Sequence, residues 1–390
     1  MSDPATFEPP RLGEPFLLTP GPLSTAWSVK QEMLRDWGSW DGDFRSLTAH
    51  IRTQLLAMLG QEGFECVPMQ GSGTFVVEAM LGSLLPRDAK ALVLINGAYG
   101  KRIAETLGYL GRAHTVIDKG DYLPPRGAEV AEALAADPAI SHVIAVQCET
   151  SSGILNPLGE ISDVVAEAGR SLMIDAMSAF GAIDLTGIRF DALVSSANKC
   201  IEGVPGFGFV LVRKPVLETS KSNSHSLSLD LHAQWDNMEK TGQWRFTPPT
   251  HTIAAFAEAL RLHEAEGGVA GRGARYTANR DTLVGEMRAL GFETLLRDRW
   301  LSPIIVTFFF PADPAFRFGQ FYDLMKARGF IIYPGKLTVV DSFRIGCIGR
   351  MDADVMRQVA AAAGECLAEM GVASAAPPAA ALIEREKLAA

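Results

Sequence analysis

Two residues in this sequence are of the kind and spacing that covalent amine chemistry uses. Lys199 stands in DALVSSANKCIEGVPGFGF, where a short apolar run, Ala192 to Val194, passes through Ser195, Ser196, Ala197 and Asn198 to reach it. A glycine- and proline-rich turn follows, then a second apolar run from Phe207 to Val212. A lysine delivered by a strand into a tight turn and partly desolvated there has its pKa lowered, and it can then serve as nucleophile and proton carrier. Most lysines after strands are simply solvated, so the position alone decides nothing. Asp175 changes that. It ends the run Leu172–Ile174, about two dozen residues before Lys199. The spacing suits one βαβ or strand–loop–strand step and puts both groups at the carboxyl edge of a sheet, where open α/β sheets bind ligands.

An amine and an acid so placed are the pair that pyridoxal phosphate requires. The lysine bonds the cofactor as a Schiff base, and the carboxylate keeps the pyridine nitrogen protonated so that the ring accepts electrons. Taken alone, Asp175 reads better as a helix cap. A further element is Gly71-Ser72-Gly73-Thr74 ahead of the helical stretch FVVEAMLGSLL. Backbone N–H groups and the positive end of a helix dipole there can hold a phosphate. The pattern is neither a Walker loop nor a dinucleotide fingerprint, and a simple cap accounts for it as well.

The elements that must position these residues alternate. ECVPMQ, ALVLINGAYG, AHTVID, HVIAVQCETSSG, SLMID and ALVSS read as strands, with helices over FVVEAMLGSLL and 127–136 among them. Such alternation predicts an α/β fold with a mostly parallel sheet covered on both faces, and polar residues recur where the strands end. Phe207–Val212, reached by a short turn, is expected to pair antiparallel. SLTAHIRTQLLAMLG (46–60) reads as a helix stopped by Gly60. Ser24 or Thr25 is expected to cap a helix over SVKQEMLRDW, and Pro20-Gly21-Pro22 before it reads as plain turn chemistry. Residues 220–250 break the alternation with a long polar, aromatic-punctuated segment, which marks a functional region or an interface. Helices over 253–266 and 272–290 then lead to IIVTFFF, FGQFYDLMKARG, FIIYPG, FRIGCIG and a closing helix over 352–370. The expected division is an N-terminal segment (1–23) joining the small domain, a large cofactor domain (24–270), a small α+β domain (271–371) and a low-complexity, frayed or weakly helical tail (372–390).

At 390 residues, with 47% hydrophobic and 21% charged residues, the chain can bury a large core. A formal charge of −9 argues against general nucleic-acid or anionic-membrane binding. Five scattered cysteines without a C-x-x-C pair fit reduced thiols, with Cys200 a buried structural one, and no metal site is expected. No signal peptide and no membrane span is evident, so a soluble, cytoplasmic protein is expected.

LLTPGPL, MQGSGTFVVEAMLGS, NGAYG, CETSSGILNP, IDAMSAFG, SSANKCIEGVPGF, SHSLSLDL, WRFTPPTHT, IIYPGK and FRIGCIG together resemble the class V, fold-type I pyridoxal-phosphate aminotransferases over about residues 16–371. Within that class the chain is similar to the 2-aminoethylphosphonate–pyruvate aminotransferases. The resemblance implies a homodimer that moves the amino group of 2-aminoethylphosphonate to pyruvate. It implies that Lys199 bonds the cofactor and carries the proton, that Asp175 pairs with the ring nitrogen, that Tyr99 stacks on the ring and that Thr150 bonds its hydroxyl oxygen. Ser72, Gly73 and Thr74 would hold the phosphate with Asn198 nearby, and Thr247 would reach it from the partner subunit. Arg344 would grip the acidic group of the substrate. After WDGD the family carries an aromatic residue and an asparagine where this chain reads Phe44-Arg45; Arg45 is either a second cation for a phosphonate or a solvated arginine at a helix start. An alanine–glyoxylate or serine–pyruvate type aminotransferase, with a carboxylate on Arg344, stays open beside the phosphonate reading. A cysteine desulfurase and a non-enzymatic binding protein that kept the fold fit less well, given Lys199, Asp175 and the embedded position of Cys347.

Overall fold

The structure, a computed structural model, describes residues 13–335 and 340–388. Lys336 of the IIYPGK motif, the first twelve residues of the N-terminal segment and the last two of the tail lie outside these. Seven strands form the central sheet: β1 (Phe64–Gln70), β2 (Lys90–Ile95), β3 (Ala113–Asp118), β4 (Ile140–Val146), β5 (Ser171–Asp175), β6 (Ala192–Ser196) and β7 (Phe207–Arg213). Their order is β1-β7-β6-β5-β4-β2-β3. The run from β6 to β3 is parallel, and β7 is antiparallel to both its neighbours.

The apolar runs are uniform because both faces of the sheet are buried, and successive side chains divide between the two faces. Leu92, Leu94, Val143, Ala145, Leu172, Ile174 and Leu193 enter one core. Ala91, Val93, Ile144, Val146, Met173, Ala192 and Val194 enter the other. Helix α1 (Gly42–Leu59) covers the first face; Asp41 caps it by accepting from Asp43 N at 2.8 Å, and Gly60 ends it at φ +66°. It begins four residues earlier than the hydrophobic spacing indicated, because the cap lies ahead of the first apolar repeat. Helices α2 (Gly73–Leu84) and α3 (Ala98–Tyr109) cover the second face.

Helices α4 (Thr250–Ala265) and α5 (Gly268–Ala289) lead to a three-stranded antiparallel sheet of β8 (Ile305–Phe309), β9 (Tyr333–Pro334) and β10 (Ser342–Gly346), ordered β8-β10-β9. Phe292, Phe308, Phe321 and Phe343 pack together beneath it, with α6 (Ala353–Glu369) alongside. Phe16–Leu17 pairs in parallel with Phe330–Ile331, which ties the start of the described chain to this part.

One expectation is corrected and two gain detail. The helix after Thr25 is short, Trp27–Gln31, and its N-cap is Ala26. Ser24 Oγ is instead used to accept from Leu17 N at 2.8 Å. The 220–250 segment contains a helix, Leu231–Thr241, capped by Asp230 and ended by Gly242 at φ +70°. The tail forms a helix, Ala379–Leu388, and buries Ala375 and Ala381 in the core of the small sheet. Arg385 anchors it by donating to Thr294 O at 2.8 Å.

Candidate active site

The carboxyl ends of β5 and β6 deliver Asp175 and, three residues past Ser196, Lys199 to one cavity of about 220 Å³. Ser72, Gly73, Thr74, Tyr99 and Asn198 line it with them, as do Arg102, Thr106, Met177 and Ser196. Two backbone hydrogen bonds build the lysine's turn, Glu202 N to Lys199 O (2.7 Å) and Gly203 N to Ala197 O (2.9 Å).

Lys199 Nζ donates to Pro20 O at 2.7 Å. Gly21 stands at φ +121°, and a Cβ there would lie 2.6 Å from Nζ and 3.0 Å from Asn198 O. The Pro20-Gly21-Pro22 turn therefore closes over the lysine, and only glycine fits. Asn198 Oδ1 accepts from Ser196 Oγ at 2.9 Å.

Asp175 is buried and accepts from Met177 N at 2.9 Å. Burial pushes its carboxyl up to about 6; the Met177 N–H opposes this, nearby Glu149 adds to it, and the charges of Lys199 and Arg102 pull it down. The acid is thus held out of water beside cations that only partly compensate it.

Ser72 occupies the N-cap position of α2, but its side chain makes no capping bond, so the simple-cap reading fails here. Gly73 leaves no room for a Cβ, which would meet Met177 Sδ at 2.6 Å. Tyr99, in the first turn of α3, is placed by a residue far away in the chain. Glu149, fully buried, accepts from Tyr99 N (3.0 Å), Gly100 N (3.2 Å), Ser151 N (3.2 Å) and Ser151 Oγ (2.6 Å). It ends a two-residue strand, Cys148–Glu149, that hairpins onto Ile154–Leu155.

Thr150 is buried and does not line the cavity; its carbonyl accepts from Arg344 Nη1 at 2.8 Å. Arg344, at the middle of β10, also donates from Nε to Pro334 O at 3.0 Å. Burial lowers its pKa, and Tyr99, Tyr333 and Glu149 oppose that. Among the described residues no carboxylate pairs with it, and it is not one of the residues that line the cavity.

Two expected site residues stay apart from this group within one chain. Thr247 is exposed and lines a separate depression with Ser39, Trp244 and Arg245. Arg45, in the first turn of α1, lies with its guanidinium carbon 5.7 Å from the ring centre of Trp40. All five cysteines are free and buried, and burial pushes the Cys200 thiol far up and that of Cys347 up to about 12.

Residues 102–314 match the family described as aminotransferase class-V. The chain is 71% identical over 383 residues, 97% of this chain and 100% of the other, to a Rhizobium meliloti protein named 2-aminoethylphosphonate–pyruvate transaminase. The chain belongs to the class-V aminotransferase family. A Pseudomonas aeruginosa relative of the same name is 54% identical, over 92% of this chain and 97% of its own. The fold is that of solved aminotransferases: an alanine–glyoxylate aminotransferase from Nostoc sp. superposes with a TM-score of 0.85 at 22% identity, over 93% of this chain and 97% of the other. A pyridoxamine–pyruvate aminotransferase from Mesorhizobium loti gives 0.83 at 23% identity, over 97% and 98%.

Class-V aminotransferases work with pyridoxal phosphate, and the residues of this aminotransferase fit it. The test is the donor set of the cavity. Lys199 supplies an amine, Asp175 a buried carboxylate that a cationic ring nitrogen would relieve, and α2 an N-terminus whose Ser72 side chain is not spent on capping. All three open on the same space.

Proposed function

We propose that this aminotransferase transfers the amino group of 2-aminoethylphosphonate to pyruvate, giving phosphonoacetaldehyde and alanine in two half-reactions at one site. The observation that carries the reading is the 71% identity, over 97% of the chain, to a protein named for this reaction.

When bound, pyridoxal phosphate supplies a carbon that captures amines and a ring that takes up electrons. In this reading Lys199 Nζ would hold it and would carry the proton of the substrate carbon that bears nitrogen. Asp175 places a negative charge against the ring nitrogen from a dry position, where the attraction is strongest. Tyr99 offers a flat face that sets the ring's tilt and excludes water, and Glu149 fixes that face through the Tyr99 and Gly100 N–H groups. The resemblance would give Thr150 the ring oxygen, although Thr150 does not line the cavity within this chain. Ser72, Gly73 and Thr74 hold the phosphate with N–H and hydroxyl donors, and Asn198 stands beside them. Arg344 takes the phosphonate of the donor and the carboxylate of pyruvate in turn, its planar fork suiting both.

The active form in this reading is a homodimer in which the partner subunit's Thr247 reaches the phosphate. It is supported by the exposure of Thr247 and by its position outside the cavity of its own chain. Arg45, apart from the cavity of its own chain, keeps both readings, a second cation for the phosphonate or an arginine at a helix start. The location is cytoplasmic, which five free cysteines suit. The expected division is a large cofactor domain to residue 270 and a small one beyond it. Comparing kcat/KM for 2-aminoethylphosphonate with that for L-alanine and L-serine as donors tests the function. A preference for the phosphonate is expected; a preference for either carboxylate would place the chain with the alanine–glyoxylate and serine–pyruvate types.

A further inference from the structure

Arg102 lines the cavity and its charge draws the Asp175 carboxyl down from a distance, which leaves its own donors uncommitted. It follows Tyr99 by three residues on α3, so the two side chains share a helix face. Its guanidinium carbon lies 5.1 Å from the centre of the Tyr99 ring, so the charge rests against the ring rather than out in solvent. The side chain is half-buried and lines the cavity together with Ser72, Gly73, Thr74 and Lys199. Among the described residues its guanidinium makes no ion pair and no hydrogen bond; only its backbone carbonyl is engaged, by Thr106 Oγ1 at 2.8 Å. Arg344 differs, since two of its N–H groups are committed to carbonyls.

A guanidinium held at a cavity wall with all its donors unspent calls for a planar or tetrahedral oxyanion. The first turn of α2 opens on the same cavity and adds the positive end of its dipole. Neighbouring acids do not answer this charge. Glu149 is locked by four hydrogen bonds, and Asp175 gives one oxygen to Met177 N while its carboxyl is drawn down by Arg102 from a distance. We propose that Arg102 binds a phosphoryl-type dianion in this cavity, either the phosphate of the cofactor or the phosphonate of the amino donor. The proposal rests on the reading of the cavity as the cofactor site.

The test uses full-length apo-protein, Arg102→Gln, which removes the charge, and Arg102→Lys, which keeps it. Each is titrated with pyridoxal phosphate and with pyridoxal, which lacks the phosphate, and dissociation constants are read from the visible band and from dialysis. Failure of the wild type to take up pyridoxal phosphate would overturn the cofactor reading and this proposal together. With a wild type that binds, about tenfold to hundredfold weaker binding of pyridoxal phosphate by Arg102→Gln, unchanged binding of pyridoxal and partial rescue by Arg102→Lys assign the residue to the cofactor phosphate. Unchanged cofactor affinity with a similar rise in KM for 2-aminoethylphosphonate, and none for L-alanine, assigns it to the phosphonate. Equal losses for pyridoxal phosphate and pyridoxal, or no change in either cofactor affinity or phosphonate KM, overturn the proposal while leaving the cofactor site standing.

Discussion

Replacing Asp175 with asparagine is expected to stabilise the cofactor-free protein near neutral pH while weakening its hold on the cofactor. In the folded chain the buried carboxyl keeps its proton up to about pH 6, against an ordinary value of 3.8. Between those values folding takes up a proton, so stability falls as pH rises, and above pH 6 the full penalty is present. At about 1.4 kcal/mol per tenfold change in protonation, that penalty is roughly 3 kcal/mol. Asparagine keeps the oxygen that accepts from Met177 N and removes the charge. Urea unfolding of wild-type and Asp175→Asn apo-protein at pH 5 and pH 7.5 should show a variant advantage of about 1–3 kcal/mol at the higher pH that shrinks at the lower one. With pyridoxal phosphate bound the order should reverse, because a cationic ring nitrogen turns the carboxylate from a cost into a partner. A variant that is less stable than wild type at pH 7.5, or an advantage independent of pH, would refute the reasoning.

Gly21→Ala puts a methyl group 2.6 Å from Lys199 Nζ at φ +121°; cofactor uptake, followed by the visible band, should slow or weaken by about tenfold or more with the fold retained. Arg344→Gln removes the charge facing the acidic group, and steady-state assays should show kcat/KM for 2-aminoethylphosphonate falling about a hundredfold. Glu202 is buried at φ +63°, three residues after Lys199, and accepts from Arg275 (2.7 Å) and Tyr276 Oη (2.6 Å) with Arg272 at 3.5 Å. Burial alone would raise its pKa, yet the two guanidiniums hold it down to about 2. Glu202→Gln would leave Arg272 and Arg275 with Glu266 as their shared carboxylate, and chemical denaturation at pH 7 should register a loss of about 3 kcal/mol.

The central sheet was legible because strands buried on both faces carry unbroken apolar runs, and Asp175 and Lys199 stood where two of those runs end. What escaped notice depends on contacts distant in the chain. Glu149 lies 50 residues from Tyr99, and nothing local marks it as the acceptor for that turn. The Pro20-Gly21-Pro22 turn looked like a turn and nothing more, because its neighbour is 179 residues away. The position of Ser24 and Thr25 before a helical pattern suggests that one of them caps it, yet the Ser24 hydroxyl serves a strand seven residues earlier. The tail's alanines and prolines suggest a frayed or weakly helical segment; a helix does form, and what its composition hides is that Ala375 and Ala381 find an apolar core and Asp313 accepts from Ala373 N at 2.8 Å. Arg102 follows the strand-like run ALVLINGAYG with no motif to mark it; only the fold shows the cavity beside it.

The most direct test of the central claim is a titration of the pyridoxal-phosphate-loaded protein with 2-aminoethylphosphonate, without any keto acid, following the visible spectrum. Loss of the visible band in a single turnover, recovery on adding pyruvate, and no response in Lys199→Ala are the expected result. An unchanged spectrum with the phosphonate, together with a full response to L-alanine or L-serine, would contradict the assignment of the donor.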